Sequence, residues 1–211
     1  MEQKNKILNV PNVLSLLRMV LVPLCVASIL YMPHLSNNIL WVTLIPALLF
    51  ALTALTDMLD GKIARKRGLV TDFGKFIDPL ADKFMVFGLL VAILAAPTYV
   101  AIRPYFVWVA IIVMLRDLGV TSLRLVVASR GVVVAASFWG KAKTVTQIFS
   151  LLLILLEPWI TLWDNHPESS FNLFYDGHIL AGVAMVAMVV TTLGSGIDYL
   201  AKLWPYISGE K

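Results

Sequence analysis

Charge is scarce in this chain. Of 211 residues only 14% are Asp, Glu, Lys or Arg, while 59% are hydrophobic and the mean hydropathy is +0.84. Soluble globular domains carry about a quarter charged residues, so a water-soluble fold is a poor match to this composition. Cysteine is nearly absent as well. Cys25 stands alone inside an apolar run, which leaves no disulfide and no cysteine-based metal centre to consider. There is no repeat of fixed period and no low-complexity tract. The amino terminus has Lys4 and Lys6, but the apolar run after them lacks a small-residue cleavage site and leads into further runs. A cleaved signal is therefore not expected.

What the chain has instead is long uncharged stretches. Phe84–Ile102 and Gly177–Ile197 contain no Asp, Glu, Lys or Arg and can each cross a hydrocarbon layer about 30 Å thick as a helix. Ile39–Thr56 is just long enough, and Met19–Tyr31 becomes so with the residues before it or a snorkelling Arg18. Two further spans, near residues 104–128 and 144–163, are interrupted by charge. Residues 1–18 alternate polar and apolar residues at helical spacing, as an interfacial helix does. The expected architecture is an all-α integral membrane protein, a six-transmembrane-helix bundle with a short amino-terminal interfacial helix, forming one domain over residues 1–211.

The basic residues fix an orientation. With six spans, Lys4, Lys6, Lys62, Arg65, Lys66, Arg67, Lys75, Arg130, Lys141, Lys143, Lys202 and Lys211 share one side, while Arg103, Asp164, Glu168 and Asp176 fall on the other. The side rich in Lys and Arg is the cytoplasmic one. Glu157, late in the fifth span, is expected to face water or an outer loop. Gly182, Gly194 and Gly196 are expected to offer a packing surface.

Charge at the edge of a span is costly and points to function. Asp57, Asp60, Gly61 and Ala64 stand at i, i+3, i+4 and i+7 at the end of the second span, and Gly74, Asp78 and Asp82 at i, i+4 and i+8 at the start of the third. On helices each set forms one stripe. The short link between them makes the two helices antiparallel neighbours, so that both stripes of the 57–82 hairpin meet at the cytoplasmic rim. Converging carboxylates stay ionised cheaply only with cations between them. Oxygen donors without His or Cys select a hard ion, Mg²⁺ or Mn²⁺ over zinc. Two helices with two carboxylates each could hold two ions, an arrangement suited to displacement at phosphorus.

The pattern Asp57-x2-Asp60-Gly61-x2-Ala64-Arg65-x8-Gly74-x3-Asp78-x3-Asp82 resembles the complete signature of the CDP-alcohol phosphatidyltransferases. The resemblance runs from about Asn9 to Gln147. NVPNVLSLLRMVLVPL near the start, and MLRDLGVTSLRLVVASRG and VAASFWGKAKTVTQ later, are similar to the phosphatidylglycerophosphate synthase branch, with Asp117 where that branch more usually has glutamate. The resemblance implies transfer of a phosphatidyl group from CDP-diacylglycerol to glycerol 3-phosphate in a bacterial cytoplasmic membrane. It also implies a homodimer with both termini and the site on the cytoplasmic side, and no nucleic-acid partner.

Carried over residue by residue, the resemblance implies that Asp57, Asp60 and Asp78 hold metal, with Asp82 both completing the second metal site and acting as base. It gives Gly61, Ala64, Arg65 and Gly74 to the CDP moiety. Arg116, Lys141 and Lys143, with Arg124, are the candidates for the acceptor's phosphate; Arg116 lies near mid-span, where a lone arginine costs at least about 2.5 kcal/mol. Asn12 and Arg18 are similar to the family's entrance helix.

The nearest alternative keeps the family and changes the acceptor, to the substrates of cardiolipin, phosphatidylserine or phosphatidylinositol-phosphate synthesis. A prenyl-diphosphate transferase would need D-D-x-x-D-like clusters, which are absent. A divalent-cation transporter would place its aspartates near the bilayer midplane rather than at one rim.

Overall fold

The computed structural model describes residues 10–67, 72–129, 137–163 and 178–208. They form six long helices: α1 (Val10–Leu35), α2 (Ile39–Arg67), α3 (Asp72–Ala95), α4 (Arg103–Ser129), α5 (Phe138–Trp163) and α6 (Ile179–Ile207), with a short 3₁₀ turn at Pro97–Tyr99. Among the described residues five helices are long and apolar enough to cross a membrane. The sixth, α3, carries charge through its first turns and is apolar only from Phe84 onward. The chain is a multi-pass membrane protein of helical type.

Local chemistry sets the boundaries. Asn38 caps α2, its side-chain oxygen accepting the Leu40 N–H at 3.0 Å. Pro97 stands two residues after the last helical position of α3, Ala95. Ser137 caps α5 by accepting the Gly140 N–H at 3.0 Å. At the start of α6, His178 is left-handed (φ 48°) and its side chain makes no cap. Glu157 of α5 supplies what the cap lacks, accepting the Ala181 N–H at 2.9 Å and facing His178 Nδ1 at 3.3 Å. This corrects the expectation that Glu157 faces water or a loop. It is only 2% exposed, because the positive end of a neighbouring helix gives its charge a buried partner.

Of the amino-terminal segment expected to lie at the interface, residues 10–18 run unbroken into α1, and residues 1–9 lie outside the described residues. Pro11 falls in the first turn, where its missing N–H costs nothing, and no breaker follows before Pro23.

The chain divides into two compact units, one within Met1–Val100 together with Pro158–Leu162, the other within Ala101–Glu157 together with Trp163–Lys211. In the first, α1 packs against both α2 and α3. Its buried side is a single stripe, Asn12, Ser15, Arg18, Val22, Cys25 and Ile29, at the 3.6-residue period of a helix face. The stripe is polar for two turns and apolar thereafter. Gly88 of α3 meets it: a Cβ there would lie 3.2 Å from Val22 Cγ1, so the bare backbone permits the close approach.

In the second unit, α4 packs on α6, whose buried stripe is Ala181, Met185, Met188, Thr192, Ser195, Tyr199 and Leu203. Gly194 lies against the Trp139 ring and Gly196 against the stem of Arg116, while a Cβ on Gly182 would meet nothing within 4 Å. Outward faces carry Leu48, Leu52, Ile111, Leu115, Val186 and Val190, all exposed, as surfaces bathed in lipid require.

Replacing Glu157 by Leu should destabilise the detergent-solubilised protein by about 0.5–2 kcal/mol, the usual worth of a cap, read as a lowered melting temperature. Glu157→Gln keeps an acceptor for the Ala181 N–H and should lose less. Equal losses would show that the hydrogen bond is not what holds the end of α6.

Candidate functional site

The polar half of the α1 stripe is where the first unit's charge converges. Arg18 is 0% exposed and its Nη1 lies 2.5 Å from Asp57 Oδ1. A guanidinium wholly withdrawn from water demands such a partner. Asp57 itself keeps 31% of its side chain exposed, so one end of the pair is sealed and the other opens outward. One helical turn before Arg18, Ser15 donates its hydroxyl to Asp78 Oδ1 in a short hydrogen bond. A single face of α1 thus engages one aspartate from α2 and one from α3.

Around these contacts the helices supply little competition. On α2, Thr53 donates to the Leu49 carbonyl at 2.6 Å and Thr56 to the Thr53 carbonyl at 2.7 Å, so both hydroxyl protons are spent within the helix. On α3, Gly74 is buried, and Asp82 is half-buried one turn beyond Asp78 on the same face. The helical backbone of α2 continues to Arg67, which keeps Asp60, Gly61 and Ala64 on the face of Asp57. The side chains of Asp60, Gly61, Ala64 and Arg65 lie outside the described residues.

Among the described residues α2 and α3 each pack chiefly on α1, on the side that carries the buried Arg18 and Ser15. The link expected to make the two helices direct neighbours, residues 68–71, lies outside the described residues.

Among the described residues no three Asp, Glu, His or Cys side chains gather into one group, the expected set including Asp60. Among the described residues the donors present are carboxylate oxygens on two helices, partly open and with no His or Cys grouped with them. They fit a hard divalent cation and not a soft one.

A second group forms in the other unit around Asp117 of α4. Lys143 of α5, nearly buried, places Nζ 2.8 Å from Asp117 Oδ1 and 2.6 Å from Oδ2. Arg116 donates from Nη1 to Asp117 Oδ1 at 3.0 Å and from Nη2 to Ser195 Oγ of α6. Its guanidinium also lies over the Tyr199 ring, 5.6 Å from the centroid, within cation–π range. Tyr199 in turn accepts the Ser137 N–H at 3.3 Å, tying the first turn of α5 to α6.

Of the four basic residues expected together, the structure joins Arg116 and Lys143 through Asp117. Lys141 and Arg124 are exposed and form no ion pair with that group. Lys141 is two residues from Lys143, and a two-residue step turns a side chain to the opposite helix face. Ser15, Ser195 and Tyr199 were not anticipated. Ser15 was legible in principle as the middle of the Asn12–Ser15–Arg18 spacing, but nothing local to α6 marks Ser195 or Tyr199 as partners of an arginine far back in the chain.

A helical membrane protein with paired aspartates on the second and third helices, and cations gathered on later ones, matches one class of enzyme. Residues 8–194 match the CDP-alcohol phosphatidyltransferase family, and the chain belongs to it. Members of that family generally use divalent metal ions.

Among its relatives is a protein of Mycobacterium tuberculosis named probable phosphatidylglycerophosphate synthase, 33% identical over 97% of this chain and 86% of its own length. The CDP-diacylglycerol–glycerol-3-phosphate 3-phosphatidyltransferase of Bacillus subtilis is 35% identical over 93% of this chain and 95% of its own. A cardiolipin synthase (CMP-forming) of Oryza sativa is 32% identical over 94% of this chain and 58% of its own.

The Asp117 group makes a stability prediction. Lys143→Met or Asp117→Asn alone breaks a nearly buried ion pair and should be clearly destabilising. The double variant should lose about 1–3 kcal/mol less than the sum of the two, measured by thermal unfolding in detergent. Strict additivity would mean that the pair is not energetically coupled.

Proposed function

We propose that the chain transfers the phosphatidyl group of CDP-diacylglycerol to sn-glycerol 3-phosphate, forming phosphatidylglycerophosphate and releasing CMP. The observation that carries this reading is the family's full aspartate signature on α2 and α3, with Asp57 and Asp78 both engaged by one face of α1. The names of the M. tuberculosis and B. subtilis relatives support the acceptor.

In this reading Asp57, Asp60, Asp78 and Asp82 hold Mg²⁺ or Mn²⁺, two ions in all. Bound metal would withdraw negative charge from the CDP diphosphate. Gly61, Ala64 and Gly74 leave room for the nucleotide, and Arg65 faces a phosphate oxygen. Asp82 takes the proton of the acceptor hydroxyl as its oxygen attacks the phosphorus bearing diacylglycerol. The P–O bond to CMP breaks, and CMP leaves with the bonding electrons.

Arg116 and Lys143 are assigned to the acceptor's own phosphate, with Lys141 and Arg124 contributing charge nearby in sequence. Asn12 and Arg18, on the polar half of α1, belong to the helix over the entrance, with Arg18 also paired to Asp57. The single-domain reading is supported by a family match that runs through both compact units. The excess of Lys and Arg on one side places both termini and the site at the cytoplasmic face of a bacterial inner membrane. The enzyme acts as a homodimer.

A second reading has one observation in its favour, the cardiolipin synthase among the relatives. Phosphatidylglycerol would then be the acceptor, and it brings a phosphate diester instead of a terminal phosphate.

The purified chain in detergent should release CMP from CDP-diacylglycerol when glycerol 3-phosphate and Mg²⁺ or Mn²⁺ are both supplied. Release with phosphatidylglycerol but not glycerol 3-phosphate would replace the first reading by the second. Asp82→Asn should abolish turnover and leave CDP-diacylglycerol binding measurable; retained turnover would remove its role as base.

Arg116→Ala should raise KM for glycerol 3-phosphate about tenfold or more, as loss of a charged hydrogen bond does, with little change for CDP-diacylglycerol. An equal rise for both substrates would count against the assignment of Arg116 to the acceptor.

A further inference from the structure

Resting on the metal assignment above, we infer that Ser15 is a positioning residue that sets which divalent ion the aspartates accept. Ser15 is wholly buried on α1, and its hydroxyl is donated to Oδ1 of the partly open Asp78 carboxylate on α3. A serine hydroxyl has one proton, and the contact it makes with Asp78 is to one of the two carboxylate oxygens, Oδ1. Ligation of a cation through Oδ2 leaves that bond intact. Chelation through both oxygens has to share or break it, and must rotate a carboxylate that the hydroxyl holds in place.

That difference separates two ions of equal charge. Ca²⁺ takes six to eight oxygens at about 2.3–2.6 Å, often from both oxygens of a carboxylate, whereas Mg²⁺ requires octahedral ligation at about 2.0–2.1 Å. A carboxylate fixed in one-oxygen ligation suits Mg²⁺ or the similarly six-coordinate Mn²⁺ and disfavours Ca²⁺. On α2, Arg18 Nη1 lies 2.5 Å from Oδ1 of Asp57. Arg18 is a poor probe because its removal takes away a buried charge together with its ion pair. Ser15→Ala deletes a single oxygen atom and fills the same space.

The test uses the full chain in detergent and reads bound Mn²⁺ by electron paramagnetic resonance, without turnover. Ca²⁺ is titrated against bound Mn²⁺ in the wild type, Ser15→Ala and Ser15→Thr, each checked for an unchanged melting profile. Ser15→Ala should lower the Ca²⁺ concentration that displaces half the Mn²⁺ by about three- to tenfold, the effect of one hydrogen bond. Ser15→Thr, which restores the hydroxyl, should return it to the wild-type value.

Wild-type selectivity in Ser15→Ala, with Mn²⁺ still bound, overturns the inference and leaves the metal assignment standing. Altered selectivity in both variants also overturns it, since packing rather than the hydroxyl would then be responsible. Mn²⁺ binding that is absent from the wild type, or unaffected by Asp78→Asn, overturns the metal assignment and this inference together.

Discussion

An arginine with none of its surface exposed, set in a helix that crosses lipid, is the constraint on which the first three helices depend. Hydrocarbon offers a guanidinium no hydrogen bonds, and leaving Arg18 unanswered would cost at least about 2.5 kcal/mol. Asp57 answers it at 2.5 Å. The pair fixes the rotation of α1 against α2, because Leu17 and Met19 on either side point to other faces. Once that rotation is set, Ser15 is carried to α3 and Asp78, since residues three apart share a helix face. Two aspartates on two helices are therefore ordered by a contact that the cost of burying one side chain makes obligatory.

Apolar burial contributes less in this setting than in water. Lipid tails are as apolar as Leu, so helices in a bilayer are held by close packing and polar contacts more than by exclusion from solvent. The structure shows both. Gly88 lets Val22 approach the backbone of α3, and Gly194 and Gly196 seat Trp139 and the stem of Arg116. Polar contacts do the rest within each unit: Arg18 and Ser15 in the first, and Asp117 with its two cations and Glu157 at the start of α6 in the second. Each lies on a buried helix face, while outward positions are left to residues that lipid accepts.

The helices were legible because span length is dictated by membrane thickness and charge is excluded from the middle of a span. The aspartates of α2 and α3 were legible because their partners in function lie three, four or seven residues away, within one helix. What could not be read were contacts between residues far apart in the chain. Ser15 meets Asp78 across 63 positions and Arg116 meets Ser195 across 79; no spacing rule encodes either. Glu157 was misjudged for the same reason, its partner being the first turn of α6, where the Ala181 N–H lies 24 positions on. Lys141 and Lys143 looked equivalent in the sequence, and only the helix face separates them: Lys143 is buried on Asp117, Lys141 exposed.

Both polar groups combine charged with neutral partners. On α1–α3 one buried cation, Arg18, meets Asp57, while Asp78 is met only by a neutral hydroxyl among its described contacts. On α4–α6 one carboxylate, Asp117, answers two cations, Arg116 and Lys143, and the remaining contacts to Arg116 come from a neutral hydroxyl and an aromatic face. Neutral donors and ring faces hold a charged group in position without cancelling it. Charge is costly to desolvate at low dielectric, so the neutral partners of Asp78 and Arg116 add orientation where a further ion would add cost.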